Sequence, residues 1–245
     1  MWKYFFTYES ELPSDIGFPL FGFAHIAWLL FAVVVTIIIL SLYKKVGEKK
    51  KRILECVAGC SMIFWIMGLT LYLICVHHMS KYELPLHVCS IMGILCGIHC
   101  LTKSEKIRDF IGQTLYAIGL PGTILALIYP NWTKYPPISF KAIEGFLFHI
   151  GIVIYVCMML VSRKIIPELR KSWKVFLNMA MILIPVYLLD LNIKANYIFL
   201  LEPSPGSPLE IVEQLLGRQG YLIGYTALMI SGILLMELGY YMFTS

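Results

Sequence analysis

Charge is what this chain has least of. Only 14% of its residues are Asp, Glu, Lys or Arg, where a soluble domain carries about 25%. That scarcity argues against a soluble fold, and the mean hydropathy of +0.77 agrees. The opening MWKYFFTYESELPSDIGF lacks a charged region followed by a short apolar run and a small-residue site, so no cleavable signal peptide is expected. No basic stretch is interleaved with aromatics in the way nucleic acid requires. The net charge of +5 is therefore expected in loops that set orientation. No internal repeat and no second domain are evident, and residues 1–245 read as one unit. The cysteines at 56, 60, 75, 89, 96, 100 and 157 all lie in or at the ends of apolar segments. None sits in a long polar loop, which argues against a disulfide framework. The pairs Cys56/Cys60 and Cys96/Cys100 have helical spacing but no His or carboxylate to complete a ligand set. Neither a metal nor a cofactor is expected.

What the chain has in abundance is apolar sequence. A spanning helix needs roughly 20 mainly apolar residues, and seven segments qualify: 19–43, 54–76, 84–101, 109–129, 141–161, 174–191 and 219–243. The third is short enough to begin inside the membrane. The linker 192–218 carries Pro203, Pro205 and Pro208 and reads as an ordered surface loop or a short interfacial helix. The expected fold is an all-α membrane protein, a single bundle of seven transmembrane helices. Lys and Arg in alternate loops fix its direction. The loops at 44–52, 102–108 and 162–174 hold fourteen, and the opposite side holds six. The N-terminus is thus expected outside and the C-terminus in the cytoplasm. Asn131-Trp132-Thr133 fits a glycosylation sequon, a weak signal by itself.

Ionisable groups inside spans are costly and suggest function. His25, His77, His78, Glu83, His87, Glu144, His149 and Asp190, with Cys89, Asn192, Asn196 and Tyr197, fall in the outer parts of their segments. The inner half offers Gln113, His99 and Asn178, near helix ends where water is close. Headgroup contacts or interhelical hydrogen bonds are the plainer reading of several of these. A site on the outer side is the sharper one.

The stretch ELPLHVCSIMGILCG, residues 83–97, offers it a nucleophile in Cys89, beside the plainer reading of that thiol as a packing residue. Cys89, Gly93, Cys96 and Cys100 share one helical face of small residues, which turns the Cys89 thiol inward. Pro85 suits a first turn, so Cys89 is expected about one turn into the helix, where the positive end of the dipole faces it. His87 and Cys89 are two residues apart and point to nearly opposite sides. The base is therefore expected from another helix, His149 first by depth and His25 second. Asp190 would orient the histidine, and Asn196 and Tyr197 would donate to a developing oxyanion.

Beyond these residue-level readings, the chain resembles the YwaF-like bacterial integral membrane proteins, relatives of the eukaryotic transmembrane protein 164 acyltransferases. The matching stretches are FFTYES, His25, LPLHVC at 84–89, GLPGTILALIYP at 119–130, FLFHIGIVI at 146–154 and NIKANYIFLLEPSPGSPLEI at 192–211, in family order. The resemblance implies a cysteine-dependent acyltransferase that moves a fatty acyl chain from a diacyl phospholipid to a lysolipid without acyl-CoA. Carried over by motif, Cys89 is its nucleophile and His149 its histidine. Partners would be membrane phospholipids and lysolipids, in a multi-pass protein of the plasma membrane whose site faces the extracytoplasmic side. Two alternatives stand beside it: a lipid-ester hydrolase, and a lipid or small-solute binding or transport protein without chemistry. Nothing in the sequence fixes an oligomeric state.

Overall fold

A computed structural model describes residues 2–203, 207 and 209–244. All regular structure among them is helical. The helices are α1 (Phe23–Lys45), α2 (Glu48–Cys75), α3 (Val88–Leu101), α4 (Glu105–Thr114), α5 (Leu120–Ile128), α6 (Phe140–Val161), α7 (Ser172–Ile193) and α8 (Leu209–Thr244). Six stretches are long and apolar enough to cross a membrane: Phe23–Lys45, Glu48–Cys75, Glu105–Ile128, Phe140–Val161, Leu169–Ile193 and Leu209–Met242. The seventh expected segment, α3, has 14 residues. At about 1.5 Å per residue it falls short of a full bilayer core.

Local chemistry explains the breaks. α4 and α5 form one span joined by a π-helical turn, Leu115–Gly119. Pro121 has no N–H to donate, and its ring would crowd the carbonyl four residues back. The ladder widens there, and the Leu120 N–H reaches the Leu115 carbonyl. α8 breaks at Gly217, whose φ of 68° and ψ of 170° belong to a region that only glycine enters freely. The break leaves a short helical piece ahead of the span, as expected of the 192–218 linker. Pro205 and Pro208 of that linker lie outside the described residues. α1 starts at residue 23 rather than 19, because Pro19 and the left-handed Phe21 (φ 57°) precede its cap at Gly22.

α6 is the central helix, with α1, α2, α3 and α5 packed around it. α2 and α3 meet closely because Gly59 has no side chain. A Cβ there would stand 2.7 Å from the Cys100 sulfur. α1 and α8 turn apolar side chains such as Leu30, Ile37, Ile223 and Leu235 outward, as lipid contact requires.

The three basic loops meet at one end of the bundle. Glu55 is buried there and takes the Lys164 ammonium on both oxygens (2.5 and 2.7 Å) and the Tyr43 hydroxyl (2.6 Å). Arg52 donates to the Cys100 carbonyl at 2.5 Å. This basic end is a packed floor, not a wet margin. Gln113, His99 and Asn178, expected near water, are all buried in it. It also holds Glu55 and, on α8, Glu237, both buried. Polar burial therefore occurs at both ends of the bundle, where the sequence placed it mainly at one.

The opposite end is covered by the N-terminal segment. The Tyr8 hydroxyl donates to Glu83 at 2.6 Å, and its ring stacks on His78 at 4.1 Å. Burial, then the bond to Glu83, raises the Tyr8 phenol well above its ordinary pKa. Glu11 pairs with His78 (3.0 Å) and Glu9 with Lys134 (2.5 Å).

Candidate functional site

α3 begins later than its sequence suggests. Leu84, Pro85 and Leu86 form a turn, with the Leu86 N–H on the Leu84 carbonyl at 2.7 Å. His87 is the N-cap and Cys89 the second helical residue. Pro85 therefore lies outside the helix, and Cys89 sits nearer its N-terminus than expected. No side chain caps this end, and the Ile91 N–H is the first to bond back, to the His87 carbonyl. The N–H groups of Val88, Cys89 and Ser90 precede it and have no carbonyl within the helix to bind. The Cys89 side chain is partly buried against the main core and makes no hydrogen bond to another described residue.

Tyr197 builds this end. Its hydroxyl donates to the Lys81 carbonyl and accepts the Leu84 N–H at 2.9 Å. Its ring packs edge-on against His87, centroids 5.0 Å apart. Burial holds its phenol above the ordinary pKa, so it stays a donor. Two tyrosines of α8 fasten the segment that carries it: Tyr221 to the Phe199 carbonyl (2.6 Å) and Tyr225 to the Ile198 carbonyl (3.1 Å). Asn196 is committed too, donating to the Glu202 carbonyl (2.9 Å) and accepting the Leu201 N–H (3.0 Å). Both expected oxyanion donors are thus engaged in shaping the loop.

The histidines separate clearly. His25 is fully buried; it accepts the Phe21 N–H on Nδ1 and donates from Nε2 to the Leu127 carbonyl, both at 2.9 Å. Neither nitrogen is left to take a proton, so His25 is a tie between α1 and α5 and not a base. His87 is exposed at the start of α3. His149 is buried, and its Nδ1 donates to the Gly145 carbonyl at 2.6 Å. That bond fixes the tautomer and leaves Nε2 with a lone pair and no partner among the described residues. Asp190 does not orient it. The Asp190 carboxylate is buried and faces the Tyr197 backbone N–H and His87.

One residue here carries no motif signal of its own. The Trp132 indole lies flat over Gly145, where a Cβ would come within 2.8 Å of the ring. Its centroid is 5.0 Å from that of His149, and its buried N–H has no partner. The sequence places Trp132 only inside a sequon; the small Gly145 four residues before His149 was the available hint. α3 and α6 touch where the Phe148 ring lies over Gly93, 2.8 Å from a would-be Cβ. From that contact Cys89 lies four residues toward the N-terminal end, about 6 Å of rise, and His149 follows Phe148 by one residue.

A model of the TMEM164 family matches residues 20–237. The chain belongs to the TMEM164 family. No curated protein and no solved structure shows a match. The TMEM164 match takes in LPLHVC, FLFHIG and ANYIFL, and so covers every residue of the site described above. It extends from just before α1 into the last turns of α8. It does not separate out the YwaF-like branch.

Proposed function

We propose that this protein is a membrane-embedded acyltransferase with Cys89 as nucleophile and His149 as base. One observation carries the reading: the Gly145 carbonyl holds His149 by Nδ1 and leaves Nε2 unpartnered, while Cys89 opens an uncapped helix packed on the same α6. Membership of the TMEM164 family supports it.

The steps balance as follows. His149 Nε2 takes the Cys89 thiol proton, and the thiolate adds to the carbonyl carbon of a phospholipid ester. The oxyanion is met by the free N–H groups at the start of α3, which stand in for Asn196 and Tyr197. The intermediate expels the lysophospholipid alkoxide, which recovers the proton from His149, and leaves an acyl-thioester on Cys89. A lysolipid hydroxyl then gives its proton to Nε2 and attacks the thioester; Cys89 leaves and is reprotonated.

The bundle is read as seven segments, with the N-terminus outside and the C-terminus cytoplasmic. The basic end then faces the cytoplasm and the site faces outward, where acyl-CoA is absent and phospholipid is the acyl donor to hand. Phospholipids and lysolipids of the plasma membrane are its substrates.

Purified protein in phosphatidylcholine nanodiscs, given a labelled lysolipid, tests this. The expected product is diacyl lipid, lost in Cys89→Ser and reduced about 10²–10⁴-fold in His149→Gln, the usual worth of a positioned base. Free fatty acid as the main product would reassign the enzyme as a hydrolase. Unchanged turnover in Cys89→Ser would remove the mechanism.

A further inference from the structure

Glu237 is a carboxylate that the bundle buries and leaves alone. It lies on α8 seven residues from the helix end, about 10 Å of rise, and is 1% exposed. Neither of its oxygens has a hydrogen-bond partner. α8 packs in this bundle against the π turn, the 169–171 turn and α7, and each brings polar groups that are already engaged. From the π turn comes Tyr116, whose hydroxyl donates to the Met236 carbonyl at 2.8 Å. Tyr240, on α8 itself, packs edge-on against Tyr116. Around 169–171, Arg170 is held by Glu168 (3.4 Å), and Lys171 by Glu168 (2.6 Å) and Asp109 (3.0 Å). From α7, Lys174 pairs with Asp109, Asn178 donates to Thr114 at 2.9 Å, and Ser172 donates to the Leu169 carbonyl at 2.7 Å. The cation of α8 itself, Arg218, lies nineteen residues away. Among the described residues, the charge within electrostatic reach is Glu168, of the same sign.

An ionised carboxylate in such a place is shut away from bulk water with no counter-ion among the described residues, and its repulsion by Glu168 adds to the cost. A buried ionisable group at membrane depth is a functional site by default. We propose that Glu237 is a proton-binding site, its side chain carried as the carboxylic acid between α8 and the π turn. The proton is the cation that needs no cavity. Loss of this proton places a bare charge in the seam, so proton occupancy and the packing of α8 are linked. Stability therefore falls as the pH rises from the ordinary carboxylate range to the point where the folded protein gives up the proton, the window in which only the unfolded chain is ionised. The site is separate from Cys89 and His149 and stands whether or not they transfer acyl groups.

Dicyclohexylcarbodiimide, an apolar reagent that consumes carboxylic acids, tests this on the full-length protein in micelles. The acid's proton passes to one carbodiimide nitrogen while its oxygen adds to the central carbon; the acyl group then shifts to nitrogen, giving an N-acylurea with nothing lost. Mass spectrometry is expected to find the adduct on the Glu237 peptide, declining as the pH is raised. Glu237→Gln is expected to give no adduct, to melt at or above the wild-type temperature at neutral pH and to lose the decline that wild type shows as the pH rises from the ordinary carboxylate range. An unmodified Glu237, or a Gln variant that melts well below wild type at neutral pH, would mean an ionised side chain with a cation partner and would overturn the proposal. A decline over that same pH range left unchanged in Glu237→Gln would overturn it as well.

Discussion

Asn196, Tyr197, His25 and His149 look alike in sequence, as polar groups at the N-terminal end of the bundle. Their partners divide them. His25 has both nitrogens occupied, Asn196 closes its own loop, and the Tyr197 hydroxyl bridges two backbone groups of the 81–84 turn. Tyr197→Phe is therefore expected to lower thermal stability by about 1–3 kcal/mol, the cost of orphaning a buried donor. It should also speed alkylation of Cys89 by loosening the turn ahead of it. An oxyanion role would show instead as a loss of kcat at unchanged stability and alkylation rate. Sequence reading singled out Cys89 and His149 because their chemistry is a property of the residue type and of helical facing. It missed the division of labour because a hydrogen bond to a backbone carbonyl, such as His149 to Gly145, leaves no mark on the sequence.

At the scale of the element, two breaks shape the bundle, one made by Pro121 and one by Gly217. Gly217 has open space around it, so its value is conformational alone. Gly217→Ala is expected to cost about 1–3 kcal/mol, the strain of a side chain in that backbone region, or to straighten α8. Straightening would pull Tyr221 and Tyr225 off the Phe199 and Ile198 carbonyls, and faster hydrogen exchange at residues 194–201 is the readout. Six of the seven expected spans were legible because apolar length is the signal and the lipid core sets that length. The start of α3 was not. Pro85 is compatible with a helix's first turn, but the Leu84–Leu86 turn and the pull of Tyr197 on Lys81 and Leu84 move the start to Val88. That shift puts Cys89 among the free N–H groups, which no residue pattern announced.

For the molecule as a whole, the two ends do different work. The basic end is a clasp. Glu55, from α2, holds Lys164, from the α6–α7 loop, and Tyr43, from α1, all in one buried contact. Glu55→Ala leaves the Lys164 charge unpaired and is expected to destabilise the bundle by about 3–5 kcal/mol, read as a lower melting temperature with turnover per folded molecule unchanged. A change in turnover with stability intact would place the clasp in the catalytic path. The convergence of the three basic loops was legible from charge counting; that their charges are spent on one another was not, because each partner lies far away in sequence.

The other end carries the central claim, that Cys89 holds an acyl group in turn. Purified protein incubated with phospholipid alone, with no lysolipid added, and then digested for mass spectrometry tests it most directly. The account predicts an acyl mass on the Cys89 peptide that hydroxylamine removes, and that disappears when lysolipid is supplied. Acyl transfer proceeding while the Cys89 peptide stays unmodified would contradict it.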